Sequence, residues 1–158
     1  PDRRDKDAIA QAIYEWMNRN IAYVYDPNEI EYLQSPLTTI ERQYGDCDDH
    51  TILASTLLQS LGIETKFKVV SLNQRKPDQY SHIYVIYKSQ DGTWRPFDTT
   101  IHTRAGDEVP QIANSKLVGL SGPKEGQFSE ETNKLKIAGY GLIVAVAALT
   151  LTKKLKQA

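Results

Sequence analysis

The stretch from Cys47 to Gly62 constrains the fold more than any other part of the chain. Ile52, Leu53, Thr56, Leu57, Ser60 and Leu61 repeat on one face of a helix over about residues 47–61, and Gly62 supplies the left-handed position that closes many helices. A helix with one apolar face must bury it against another element. The chain provides that element at once. Residues 65–71, 81–87 and 93–98 are strand candidates rich in β-branched and aromatic side chains, and Gln90-Asp91-Gly92 gives turn chemistry between the last two. An antiparallel sheet with the long helix on one face is the expected result, an α+β domain.

Upstream, Ala8, Ile9, Ala12, Ile13, Trp16 and Met17 mark an amphipathic helix over about residues 5–19. Residues 22–36 read as an ordered loop carrying Pro27, Asn28 and Pro36, whose Tyr23, Tyr25 and Tyr32 serve packing first and groove lining second. A short helix over residues 38–44 leads to Gly45. Downstream, Gly106-Asp107, Pro110 and Ser121-Gly122-Pro123 break any regular pattern across residues 99–127. Ser129 followed by Glu130 and Glu131 opens a last helix. The expected division is therefore a folded domain over residues 1–105, a covering loop and linker over 106–128, and a C-terminal hydrophobic helix over 129–158.

With 158 residues, one core suffices, and 19 basic against 20 acidic residues leave no overall field to gather nucleic acid. A single cysteine excludes an internal disulfide framework and a cysteine-rich metal site. The first twenty residues lack the apolar core of a signal peptide, so they point to no export route and localisation stays open. Residues 137–152 carry no charge and are bracketed by Lys134 and Lys136 before and by Lys153, Lys154 and Lys156 after. As a helix they rise about 24 Å, short of the roughly 30 Å hydrocarbon core. Attachment to a membrane and packing in an assembly such as a virion are both expected uses.

The chemistry concentrates around Gly45-Asp46-Cys47-Asp48-Asp49-His50. At a helix start, unpaired amides and the helix dipole stabilise a thiolate, whereas the three neighbouring carboxylates raise the thiol pKa. A reactive Cys47 therefore needs an imidazole delivered from elsewhere. His82 opens the second strand candidate, and Asp98 ends the third, which the turn folds back beside His82. In this arrangement Asp98 orients the ring, His82 takes the thiol proton, and Cys47 attacks an acyl carbon. His50 lies on the same helix as Cys47 and is not taken as the base. Asp46, Asp48, Asp49 and His50 lack both the calcium-loop pattern and the zinc-helix histidine pair, so capping explains the acids and no metal or cofactor is expected. His102 is left out of the site.

These residues, with Leu57-Leu58, Leu61-Gly62-Ile63, Ser81-His82-Ile83-Tyr84 and Gly92-Thr93-Trp94-Arg95-Pro96-Phe97-Asp98-Thr99-Thr100, resemble the transglutaminase-like superfamily over about residues 5–100. The resemblance implies a papain-like core, with the cysteine helix packed on an antiparallel sheet that carries the histidine and the aspartate. It also implies acyl transfer through a thioester, with a protein or peptide as substrate. Two departures stand out: Ile83 and Tyr84 where many members have tryptophan or another bulky residue, and Asp98-Thr99-Thr100 where Asp-Pro-Thr is common. For the oxyanion, the Cys47 amide is one candidate donor and the side chain of Gln43 or Tyr44 a second. Small members with this motif are similar to bacterial and bacteriophage proteins. The leading expectation is a thiol-dependent hydrolase of peptide or amide bonds. Its rivals are a protein-glutamine amine transferase and a non-enzymatic structural or binding module of a bacteriophage virion.

Overall fold

A computed structural model describes residues 5–26, 32–100 and 104–118 of the chain. The first helix, α1, spans Lys6–Asn20, with Asp5 as its N-cap accepting from the amides of Asp7 and Ala8. Its buried residues are Ala10, Ile13, Tyr14, Trp16 and Met17, while Ala12 is exposed. The face is thus rotated from the one expected from Ala8, Ile9 and Ala12. Tyr14 accounts for the rotation, because its ring packs inward edge-on to Phe97, with centroids 5.3 Å apart.

After β1 (Ala22–Tyr23) the chain reaches α2 (Pro36–Arg42), then β2 (Tyr44–Gly45) and α3 (Cys47–Ser60). Helix α2 begins two residues earlier than the pattern predicts. Ser35 caps it through the Thr38 amide, and Pro36 occupies the first turn, where a missing N–H costs nothing. Gln43 ends it in the left-handed region at φ 62°. Strands β1 and β2 form a short parallel ribbon, pairing Ala22 with Tyr44 and Tyr23 with Gly45. The expected loop is therefore partly regular. Residues 27–31, with Pro27 and Asn28, lie outside the described residues.

Helix α3 ends as the sequence implies, with Gly62 at φ 77° and the Ile63 amide reaching back to the Leu58 carbonyl. It is more buried than a one-sided amphipathic helix. Asp49, His50, Thr51, Leu53, Ala54, Ser55, Leu57 and Leu58 are all buried, whereas Leu61 is exposed. The cause is its central position, packed against α1, α2 and the sheet at once. Each fully buried leucine there contributes about 1.5–3 kcal/mol by leaving water.

Strands β3 (Thr65–Ser71), β4 (His82–Lys88) and β5 (Trp94–Phe97) are antiparallel neighbours, as expected. A fourth strand, β6 (Asn114–Val118), pairs antiparallel with β3 and gives the order β5-β4-β3-β6. It falls in the region expected to be irregular. Its sequence, NSKLV, is mostly exposed at the sheet edge, so it carries no apolar alternation to read. Val70, Tyr84 and Ile86 cluster with Val109, flanked by Trp94 and Ile112, so the segment before β6 covers one face of the sheet. Tyr87, next along β4, meets Phe97 and donates its hydroxyl to Asp7 of α1 at 3.0 Å.

Among the described residues no helix is long and apolar enough to cross a membrane. The hydrophobic helix expected over residues 129–158, with the run 137–152, lies outside the described residues, and so does His102.

Candidate active site

The site forms where β5 leaves the sheet. Pairing between β4 and β5 runs from Lys88 with Trp94 to Val85 with Phe97 and stops there. Beside the opening residues of β4 the first turns of α3 take over, and Thr51 Oγ1 donates to the Ile83 carbonyl at 3.1 Å. The Ile83 amide acts on the Cys47 sulfur. Cys47 is thereby held next to the His82-Ile83 step, although 35 residues separate it from His82 in the sequence.

Cys47 is the first residue of α3, and Asp46 is its N-cap. The Asp46 carboxylate accepts from the amides of Asp48 and Asp49 at 3.1 and 3.4 Å, so the cap does not consume the Cys47 amide. The half-buried thiol points a long contact, 3.9 Å, at Asp48 Oδ1. Burial first, then the carboxylates of Asp48 and Asp46, push the thiol up to about 12, against the opposing pull of the Ile83 and Asp48 amides. In the resting site the thiol is neutral. The helix start does not outweigh its own acids.

His82 and Asp98 meet at 2.6 Å, Nε2 to Oδ2, with the His82 side chain 11% and the Asp98 side chain 1% exposed. Asp98 follows directly on β5 and is fixed from three sides. Its Oδ1 accepts from the Thr100 amide at 2.9 Å and from Thr100 Oγ1 at 2.6 Å, and its main-chain oxygen accepts from Tyr14 Oη at 2.9 Å. Burial alone would raise its pKa, but the His82 hydrogen bond and charge and the Thr100 donors hold the carboxyl below the ordinary carboxylate range. An ionised Asp98 accepts from an Nε2–H tautomer of His82, which leaves Nδ1 as the basic nitrogen.

Two further layers support this pair. Tyr84 lies beside the His82 ring at 5.8 Å, and its hydroxyl donates to Glu108, which also takes Lys68 at 2.5 Å. Buried His50 joins Nδ1 to Thr99 Oγ1 at 2.8 Å, linking the first turn of α3 to the residue after Asp98. It is thus tied to the site through Thr99. Asp49 is fully buried and accepts from the Gln34 amide at 2.7 Å and from the Gln34 side chain, which also donates to the Tyr44 carbonyl. That contact fastens the loop before α2 to the helix start.

The structure therefore brings Cys47, His82 and Asp98 to one end of the sheet. It places Gln43 and Tyr44 with exposed side chains. Their carbonyls are used structurally, accepting from Ala22 and from Gln34. Sequence reasoning missed the anchoring roles of Tyr14, Gln34 and Thr100. Of these only Thr100 left a signal, since a hydroxyl two residues after an aspartate commonly closes a local turn. Tyr23, read first as a packing residue, stands over the site: its ring meets His50 at 5.9 Å, and its phenol is influenced by Cys47, Asp46 and Asp98.

The profile of the Transglutaminase-like superfamily matches residues 2–99. No curated protein matches the chain. Among solved structures, a candidate cysteine protease from Cytophaga hutchinsonii is similar at 20% identity over 70% of this chain and 39% of its own, with a TM-score of 0.47. Calcium-bound LapG from Legionella pneumophila is similar at 17% identity over 70% of this chain and 62% of its own, with a TM-score of 0.49. The EGTA-treated form of that protein gives 16% identity, 68% and 60% coverage and the same score of 0.49. The chain thus spans between about two fifths and three fifths of the length of these proteins. With the family profile covering most of the chain, including Cys47, His82 and Asp98, this protein belongs to the transglutaminase-like superfamily.

Proposed function

We propose that this chain is a thiol-dependent acyl-transfer enzyme, acting as a cysteine hydrolase of peptide or amide bonds in a protein or peptide substrate. The observation that carries the reading is the 2.6 Å His82–Asp98 pair at the strand ends against which the start of α3, with Cys47, is packed. Because the resting thiol is neutral, Cys47 loses its proton as it attacks, not before. Sγ bonds to the acyl carbon while the thiol proton passes to His82 Nδ1, and Asp98 stabilises the imidazolium through Nε2–H. The tetrahedral oxyanion collapses, the C–N bond breaks, and His82 returns the proton to the departing amine. Water, deprotonated by the same nitrogen, then attacks the thioester and releases the acid, restoring the thiol.

A family member of this kind can pass its acyl group to an amine in place of water, so the acceptor needs its own test. Incubation with an internally quenched peptide library, with and without a primary amine, separates the two. Free acid as the product in both conditions supports the hydrolase. Amine incorporated in preference to water makes the protein a cross-linking amine transferase. Turnover unchanged in Cys47→Ala would overturn both.

The raised thiol is the specific observation favouring a different reading, a structural or binding module of a bacteriophage virion that retains the fold. In that reading the uncharged run over residues 137–152 serves attachment to the particle, where in the enzyme it serves attachment to a membrane or assembly.

A further inference from the structure

An acyl-transfer site needs two donors aimed at the oxygen of the tetrahedral intermediate, and main-chain geometry accounts for only one, the Cys47 amide that the Asp46 cap leaves aside. We infer that the hydroxyl of Tyr23 is the second donor, so that Tyr23 is a catalytic residue of the reaction proposed above, on which this inference rests.

The placement is fixed by the β1–β2 ribbon. Ala22 donates to the Gln43 carbonyl at 2.8 Å and Val24 to the Gly45 carbonyl at 2.9 Å, which locks Tyr23 opposite Gly45, two residues before the nucleophile. Its ring lies edge-on to His50 of the first turn of α3 at 5.9 Å and to Tyr25 at 5.0 Å. These contacts leave the ring little freedom to turn away from the helix start. Among the described residues, the Tyr23 hydroxyl is not spent on another hydrogen bond, unlike those of Tyr14, Tyr84 and Tyr87, which go to Asp98, Glu108 and Asp7.

The electrostatics suit a donor. Burial first, then Cys47, Tyr25, Asp46 and Asp98, hold the phenol well above the ordinary tyrosine range, so it stays protonated wherever the thiol works. Cys47, Asp46 and Asp98 all act on the phenol, in keeping with the ring's place against the first turn of α3. A neutral O–H beside an attacking sulfur can give its hydrogen bond to the developing oxyanion and take it back on collapse, with no net proton transfer. Gln43 and Tyr44, by contrast, carry exposed side chains.

The test compares two reactions at Cys47 of the full chain at pH 8, both followed by intact mass. Acetylation by 4-nitrophenyl acetate passes through an oxyanion, and alkylation by iodoacetamide does not. In Tyr23→Phe, which keeps the ring on His50, acetylation should fall on the order of 100-fold while alkylation stays within about two-fold of wild type. Unchanged acetylation overturns the donor role. An equal fall in both reactions overturns it too, since the hydroxyl would then act through the sulfur or the fold. Wild-type acetylation no faster than that of the urea-unfolded chain is distinguishable from either, because there the nucleophile itself fails and the inference goes with it.

Discussion

Tyr14 of α1 donates its hydroxyl to the main-chain oxygen of Asp98 at 2.9 Å, so the first helix of the chain holds the residue that orients His82. The two are 84 positions apart, and both are buried. Removing the hydroxyl alone leaves a buried carbonyl short of a partner, at a cost of about 1–2 kcal/mol. Tyr14→Phe should therefore lower the urea midpoint with an unchanged m-value, and Tyr14→Ala should cost more, about 3–5 kcal/mol, through the cavity beside Phe97. A Tyr14→Phe protein as stable as wild type would remove this link from the account.

Gly45 is required for a different reason. A Cβ there would stand 2.5 Å from Asp49 Cβ and 2.7 Å from Asp49 Oδ2. Gly45→Ala should destabilise the fold by about 1–3 kcal/mol, as overpacking does. Combined with Asp49→Gly, which removes both the Cβ and the carboxylate from that space, the loss should be clearly less than the sum of the two single losses in a double-mutant cycle of urea midpoints.

The acids around Cys47 predict a pH profile. A thiol pushed up to about 12 gains thiolate only as pH rises, so iodoacetamide alkylation should climb through pH 7–9 with no plateau. Asp48 is the largest charged contributor to that rise. Asp48→Asn should shift the profile to lower pH and speed alkylation at pH 8. Slower labelling in that variant, or a wild-type plateau below pH 7, would show that a preformed ion pair governs the thiol instead.

Asp98 behaves oppositely, because its folded pKa lies below the unfolded one. The stability it brings is complete above the unfolded value, near pH 4, and is lost as pH falls through the lower folded value. Acidification below about pH 4 should thus cost wild type more stability than it costs Asp98→Asn, measured as urea midpoints at successive pH values. Identical acid slopes would contradict the depressed carboxyl.

How far the sequence carries can be judged from particular residues. Helix α3 and its Gly62 stop were legible because apolar period and cap chemistry agree locally, and β3 to β5 because short runs rich in β-branched and aromatic residues, buried or half-buried in the sheet, stand between turn residues. The proximity of His82 and Asp98 followed from one turn, Gln90-Asp91-Gly92, where Gly92 takes φ 83°. Strand β6 left no periodic trace, because an edge strand with four exposed residues has no apolar face to display. The inward turn of Tyr14 and the clamp of Gln34 on Asp49 were illegible for another reason: each joins residues distant in sequence through polar atoms, and periodicity reports only burial. The sequence foresaw that the acids would oppose the helix dipole at Cys47, but which effect wins depends on burial, and that requires the packed site.

The most direct test of the central claim is the rate at which Cys47 of the folded chain takes an acetyl group from 4-nitrophenyl acetate at pH 7.5, set against the same chain unfolded in urea. The account predicts faster acetylation in the folded protein despite its raised thiol, an adduct absent in Cys47→Ala, and a rate lowered on the order of 100-fold in His82→Ala, as expected when a general base is removed. A folded chain acetylated no faster than the unfolded one, or equally fast without His82, would contradict it.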